Sequence, residues 1–134
     1  MPTITNAKLT LTKRSGPPEK VEIKVTYNAV FSDFERTLSP NLKFRETIKI
    51  VGVDILPPIE QSLLDVLPVQ EIPVTTGAGS LTVSRTRTAL ALRTLLQEDP
   101  GPADADEIRC KISIAYVGAS TPVVSASADA SLAG

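Results

Sequence analysis

The feature that most constrains this chain is the alternation in KVEIKVTYNAVF, Lys20 to Phe31. Val21, Ile23, Val25, Tyr27, Ala29 and Phe31 share one parity, while Lys20, Glu22, Lys24, Thr26 and Asn28 occupy the other. Successive side chains of a strand point to opposite faces, so the pattern predicts a strand with one dry face and one wet face. EIRCKISIAY repeats it, with Ile108, Cys110, Ile112, Ile114 and Tyr116 on one side and Arg109, Lys111 and Ser113 on the other. Ala7, Leu9 and Leu11 predict an earlier strand, closed by the turn signal SGPP at Ser15 to Pro18.

Elsewhere the alternation is broken. Leu42, Phe44, Ile48 and Ile50 are even, whereas Val51, Val53 and Ile55 are odd. A one-residue slip flips every later side chain, so a bulge near Gly52 is expected. The same parity puts Glu46 on the apolar face, where it calls for a sheet edge or an arginine from a neighbouring strand. PPIEQSLLDVLP reads as a crossover with a helical turn, because Pro57 and Pro58 can open a helix and Pro68 ends it. VQEIPVTT predicts a short edge strand, since Pro73 cannot donate to a ladder. Gly77-Ala78-Gly79-Ser80 reads as a hairpin turn.

Residues 81–96, LTVSRTRTALALRTLL, pair odd Leu81 and Val83 with even Leu90 and Leu92. A strand here requires another phase change, and a helix over 87–96 is the alternative. Thr82, Val83, Thr86 and Thr88 favour the strand. The segment 123–134 reads as either a last strand or a frayed tail. Together these segments predict an all-β fold: a single antiparallel β-sandwich of about seven strands spanning 1–134. The pattern resembles the immunoglobulin/fibronectin-III-like architecture. The cysteine and tryptophan landmarks of antibody domains are missing, so the resemblance is one of architecture alone. With three Phe, two Tyr and no Trp, the core must be built from Val, Ile, Leu and Ala.

The composition closes off several chemistries. Without histidine there is no Ser-His or Cys-His nucleophile pair and little means of holding zinc. The single cysteine, Cys110, falls on a dry face, where a thiol acts as a small hydrophobe. It cannot form an intrachain disulfide, which leans towards a cytoplasmic location unless a signal peptide was removed. No apolar run is long enough to insert in a membrane. The glycine-rich stretch lacks the Gly-Lys-Ser/Thr ending of a phosphate loop. Arg36 to Pro40, RTLSP, has the form of a kinase substrate but reads equally as a loop.

Charge is unevenly spread: residues 1–50 hold nine Lys/Arg against five Asp/Glu, and residues 51–107 hold three against nine. The acidic stretch QEDPGPADADE, Gln97 to Glu107, raises a metal reading in which Asp99, Asp104, Asp106 and Glu107 hold calcium. It lacks the D-x-D-x-D-G pattern, and Lys13, Arg14 and Lys20 are expected at the same end to neutralise it. A solvated connection is the plainer account. Arg85 and Arg87 share a strand face and could bind an anion or a partner's carboxylates, or form a solvated face pairing with a cross-strand Glu. Nucleic acid would require stacking aromatics beside a basic groove, which this composition does not supply.

The sequence therefore predicts a non-enzymatic binding or assembly module working through protein–protein contacts, with another protein or itself as partner. The other readings are a calcium-dependent binding domain using the 98–107 loop and a small enzyme with carboxylate/arginine chemistry.

Overall fold

The computed structural model describes residues 2–14, 19–38, 43–55, 58–92, 105–117 and 121–133, with backbone alone at 38, 53–55, 58–66, 92, 105–106 and 132–133. Seven strands and one short helix follow in order: β1 (Thr3–Arg14), β2 (Lys20–Phe31), α1 (Asp33–Leu38), β3 (Phe44–Ile55), β4 (Pro58–Ile72), β5 (Leu81–Leu92), β6 (Ala105–Tyr116) and β7 (Val124–Ala133). They form two antiparallel sheets, one ordered β1-β2-β5 and the other β4-β3-β6-β7. Among the described residues no helix is long and apolar enough to cross a membrane.

The alternating segments form the centre. The odd residues of β2 from Val21 to Phe31 and the even residues of β6 from Ile108 to Ile114 are all buried, and they meet Phe44, Ile48 and Ile50 of β3 in one core. Each fully buried aliphatic side chain contributes about 1.5–3 kcal/mol. Cys110 lies within this layer, fully buried, and burial pushes its thiol pKa up. Phe31, Phe44 and Tyr116 stack in sequence at one end, with centroid separations of 4.8 and 5.2 Å. β1 precedes β2 and pairs with it antiparallel, and its parity changes where Thr5 pairs with Asn28 but Lys8 pairs with Thr26. One extra β1 residue is absorbed there, with Asn6 at φ 55°. Asn is among the few residues that tolerate this left-handed conformation.

The structure corrects several expectations. Residues 58–67 are neither a crossover nor helical; they belong to β4, which pairs with β3 as a hairpin. Pro68 sits inside this edge strand, at an irregularity where no ladder donor is required. The bulge expected in β3 near Gly52 is carried by its partner instead. β3 keeps an unbroken register with β6 from Phe44 to Val53, while its register with β4 shifts three times between Glu46 and Val51. Gly52 therefore stays on the inner parity, and Val51 is buried outside the central core. No phase change occurs in β5 either: its twelve residues pair with β2 without a shift. Ala89 and Ala91 take the inner positions, and Leu90 points outwards, 58% exposed. Gly77 to Ser80 is not a hairpin turn, because β4 and β5 belong to different sheets. The C-terminal segment is a strand from Val124 to Ala133, paired with β6.

Helix α1 carries the chain from the first sheet to the second. The Ser32–Glu35 pair caps it reciprocally: the Ser32 backbone N–H donates to Glu35 Oε1 at 2.8 Å, and the Glu35 N–H donates to Ser32 Oγ at 3.3 Å. This is the capping-box spacing, legible in SDFE but outweighed by the strand pattern on either side. Arg36 donates to the carbonyls of Thr75, Ala78 and Gly79, and so ties the helix to the β4–β5 connection.

Candidate functional site

Among the described residues the inner face carries one polar cluster. Glu46, fully buried on β3, lies opposite Tyr27 of β2 and Arg85 and Arg87 of β5. The register explains the convergence: Arg85 pairs with Tyr27 and Arg87 with Val25, so both arginines stand on the dry face of β5. Glu46 pairs with Gln70 on β4 and reaches across between the sheets.

Both carboxylate oxygens are engaged. Tyr27 Oη donates to Glu46 Oε1, while Arg85 Nη2 at 3.0 Å and Arg87 Nη1 donate to Oε2. Arg85 Nη2 also reaches Gln70 Oε1 at 2.9 Å, and Arg87 Nη2 donates to the Pro68 carbonyl at 2.7 Å. The β4 irregularity thus supplies an acceptor as well as a bend. Arg85 Nε is buried without a hydrogen-bond partner. An unmade bond of that kind costs about 1–3 kcal/mol.

Burial would lower the Arg85 pKa, but the hydrogen bond and charge of Glu46 outweigh it and hold the pKa above its usual value. The Tyr27 phenol is raised strongly, first by burial and then by the adjacent Glu46. Tyr27 is therefore a hydrogen-bond donor and not a base at neutral pH. Glu46 is closed off from solvent with its oxygens occupied, so this carboxylate is placed to lock β2, β3, β4 and β5 together. Glu46 was legible in the sequence as a misplaced charge needing an arginine. The identity of that arginine was not, because it depends on how the two sheets face each other.

The acidic stretch stands apart. Asp99 and Asp104 lie outside the described residues, and Asp106 is described by its backbone alone. Glu107 lies near the start of β6 on the outer face, where Ser131 Oγ donates to its Oε1 at 2.9 Å. Among the described residues no group of three metal-ligating side chains is assembled. At the same end Arg14 pairs with Glu22 at 2.6 Å.

The remaining surface of interest is the set of four strands that end the two sheets, of which β1 lies alongside β7. β1 carries the Asn6 bulge, and β4 carries Pro58, Pro68 and three register shifts. β5 has Arg85 and Arg87 pointing inwards. Bulges, prolines and inward charges are the devices that keep an edge from pairing with another chain. β7 has none of them. It runs ten residues with no shift against β6, and its charge, Asp129, points outwards. Arg109 holds Asp129 through Nε at 2.7 Å and Nη2 at 3.1 Å, which lowers the Asp129 pKa. Comparison with known proteins leaves the geometry to speak alone: no family model, curated protein or solved structure matches this chain.

Proposed function

We propose that the chain is a non-enzymatic binding or assembly module acting through protein–protein contacts, with the β7 side of the four-stranded sheet as its contact surface. The observation that carries this reading is the contrast among the edges: β1, β4 and β5 each hold a guard, and β7 holds none. β1 lies alongside β7 without pairing to it, so a partner strand that took β1's place would gain main-chain hydrogen bonds along β7 and side-chain contacts on alternate residues. The composition supports the non-enzymatic part, since there is no histidine and the single thiol is buried. A buried unpaired thiol also suits a reducing compartment such as the cytoplasm.

The strand order supports a fibronectin-III-like version of the sandwich. A three-stranded sheet of the first, second and fifth strands faces a four-stranded sheet of the other four. The chain crosses between the sheets after β2, β4 and β5.

The test uses an array of short strand-forming peptides, β7's own sequence among them. It is probed with the chain and with Ala128→Lys, which places a charge on the inner side of the edge. Capture by the wild type and loss in the folded variant is the expected result. Equal capture by both, or capture of no peptide, overturns β7 as the contact surface.

A further inference from the structure

We propose that the outer face of β3, β6 and β7 binds a tetrahedral dianion of the phosphate class, free or as the end of a small monoester, over Lys111 and the serines beside it. The site lies on the face of the four-stranded sheet rather than along its side. It therefore goes beyond the contact reading and is tested apart from it.

The register assembles the site. Between β3 and β6, Lys49 pairs with Lys111 and Thr47 with Ser113. Between β6 and β7, Lys111 pairs with Ser127 and Ser113 with Ser125. Directly opposed residues of an antiparallel pair share a face. The six side chains thus form a grid of two rows, one of Lys49, Lys111 and Ser127, the other of Thr47, Ser113 and Ser125. Neighbours within a row are about 5 Å apart and the rows about 6.6 Å apart. All six residues are exposed or half-buried.

The β7 half of the grid is hollow. A depression of about 230 Å³ lies there, lined by Lys111, Ile112, Ser113, Ser125, Ala126 and Ser127. Pockets for drug-sized ligands run to about 300–1,000 Å³, so this one suits a smaller guest. Three of its four outward side chains are serines, and larger residues there would close it.

Its chemistry is that of a donor set. An ammonium has three donors and no acceptor, and a hydroxyl can turn its hydrogen towards a guest. Ser113 Oγ and Ser125 Oγ stand 3.5 Å apart, so they hold each other's hydrogens weakly. Lys49 facing Lys111 is a like-charge pair, an arrangement that destabilises a sheet. A dianion above this row offsets the repulsion and offers the ammoniums and serines charge-assisted hydrogen bonds. A single carboxylate brings one charge and two coplanar oxygens, a poorer match to two cations and three hydroxyls.

The surrounding rows leave the grid its positive character. Next to Lys111 on β6, Arg109 is engaged by Asp129 through two hydrogen bonds. Beyond Thr47 on β3, Arg45 stands opposite Glu71 in the register. Asp65 and Val66 of β4 fall opposite Lys49, between the Ile48–Leu67 and Ile50–Leu64 pairs. Lys111 stands one strand farther from them, at the centre of its row.

The experiment follows the amide chemical shifts of the whole chain during titration with inorganic phosphate and with glycerol 3-phosphate. The pH is mildly alkaline, where both are dianions, and chloride holds the ionic strength constant. Saturable shifts centred on Lys49, Lys111, Ser113, Ser125 and Ser127 are expected with at least one of the two. Lys111→Gln, a change at an exposed side chain, should weaken binding about tenfold. Ser125→Ala combined with Ser127→Ala should weaken it about fivefold. Tighter binding of the monoester identifies an esterified phosphate as the guest, and equal or tighter binding of inorganic phosphate identifies the free anion. Shifts that fail to saturate, or that spread evenly over the exposed lysines, overturn the site. So does a folded Lys111→Gln chain, or a folded double serine variant, that binds as the wild type does. Acetate matching phosphate at equal concentration overturns the choice of a tetrahedral dianion.

Discussion

The layered structure is open on two sides, and the two are closed in different ways. Where β1 lies along β7, the filling is small and apolar: Ala7, Leu9 and Leu11 face Val124, Ala128 and Ala130. Where β4 approaches β5, the filling is ionic: Glu46, Arg85, Arg87, Gln70 and Tyr27. The apolar side stabilises without choosing a partner, because alanine and leucine pack against any surface of similar shape. The ionic side chooses strictly. Its charges are satisfied in a single arrangement of four strands, and its stability rests on every member being present. The side that specifies the fold is thus also the side whose strands hold prolines and inward charges, and the permissive side carries β7, which holds neither among its described residues.

The largest effect is expected from breaking the ionic side asymmetrically. Glu46→Ala leaves two arginines buried against an apolar layer, and urea unfolding should show a loss of about 3–5 kcal/mol. Removing the whole cluster should act in the opposite direction. A triple variant with Glu46→Leu, Arg85→Met and Arg87→Met is expected to match or exceed the wild type by about 1–4 kcal/mol. It would also strip β5 of its guard, so sedimentation should reveal association that survives Ala128→Lys. A triple variant that unfolds at lower urea than the wild type would show that the cluster is a net source of stability.

On the apolar side the expected effect is smaller. Leu9→Ala removes a side chain that is 5% exposed on an edge strand able to settle inwards, so its cost should be about 2 kcal/mol, the low end for such changes. A cost equal to that of Glu46→Ala would erase the contrast between the two sides.

The smallest effect at neutral pH concerns Tyr27, whose pKa in the folded chain is raised above the ordinary 10.0. Below pH 10 the phenol is protonated in both states and this term contributes no change. Above it the unfolded chain ionises while the folded chain keeps its proton, so stability falls as pH rises further. In a Tyr116→Phe background, phenolate absorbance should therefore appear together with loss of the β-sheet circular dichroism. Phenolate formation in a chain that remains folded would contradict the burial of Tyr27 against Glu46.

Much of this fold was legible where strands are amphipathic. The parities of β2 and β6 in the sequence are the parities of the core, and the misplaced Glu46 was recognisable before its partners were known. The failures share one physical cause. In β5 the leucines drew attention to the wrong parity, because Leu90 looks like core and Ala89 and Ala91 do not. Pairing energy along twelve regular residues outweighed the preference of one large side chain for burial. In β3 the same lure came from Val51, buried outside the central core, and the irregularity passed to β4, an edge strand free to bend. Pro57 and Pro58 suggested a helix start; Pro57 lies outside the described residues, and Pro58 opens β4 instead, where an edge strand tolerates proline. The guards on the edges were visible as individual residues. Their meaning depended on which strands lay outermost, and that is a property of the whole topology.

Cys110 gains a use from its position. It is fully buried and pairs with Ala128, so the strand that covers it laterally is β7 itself. Its rate of labelling by a thiol reagent becomes a stopwatch for the moment β7 lifts from β6. A partner held against β7 would slow that stopwatch in proportion to its occupancy, which turns one inert atom into a reader of binding.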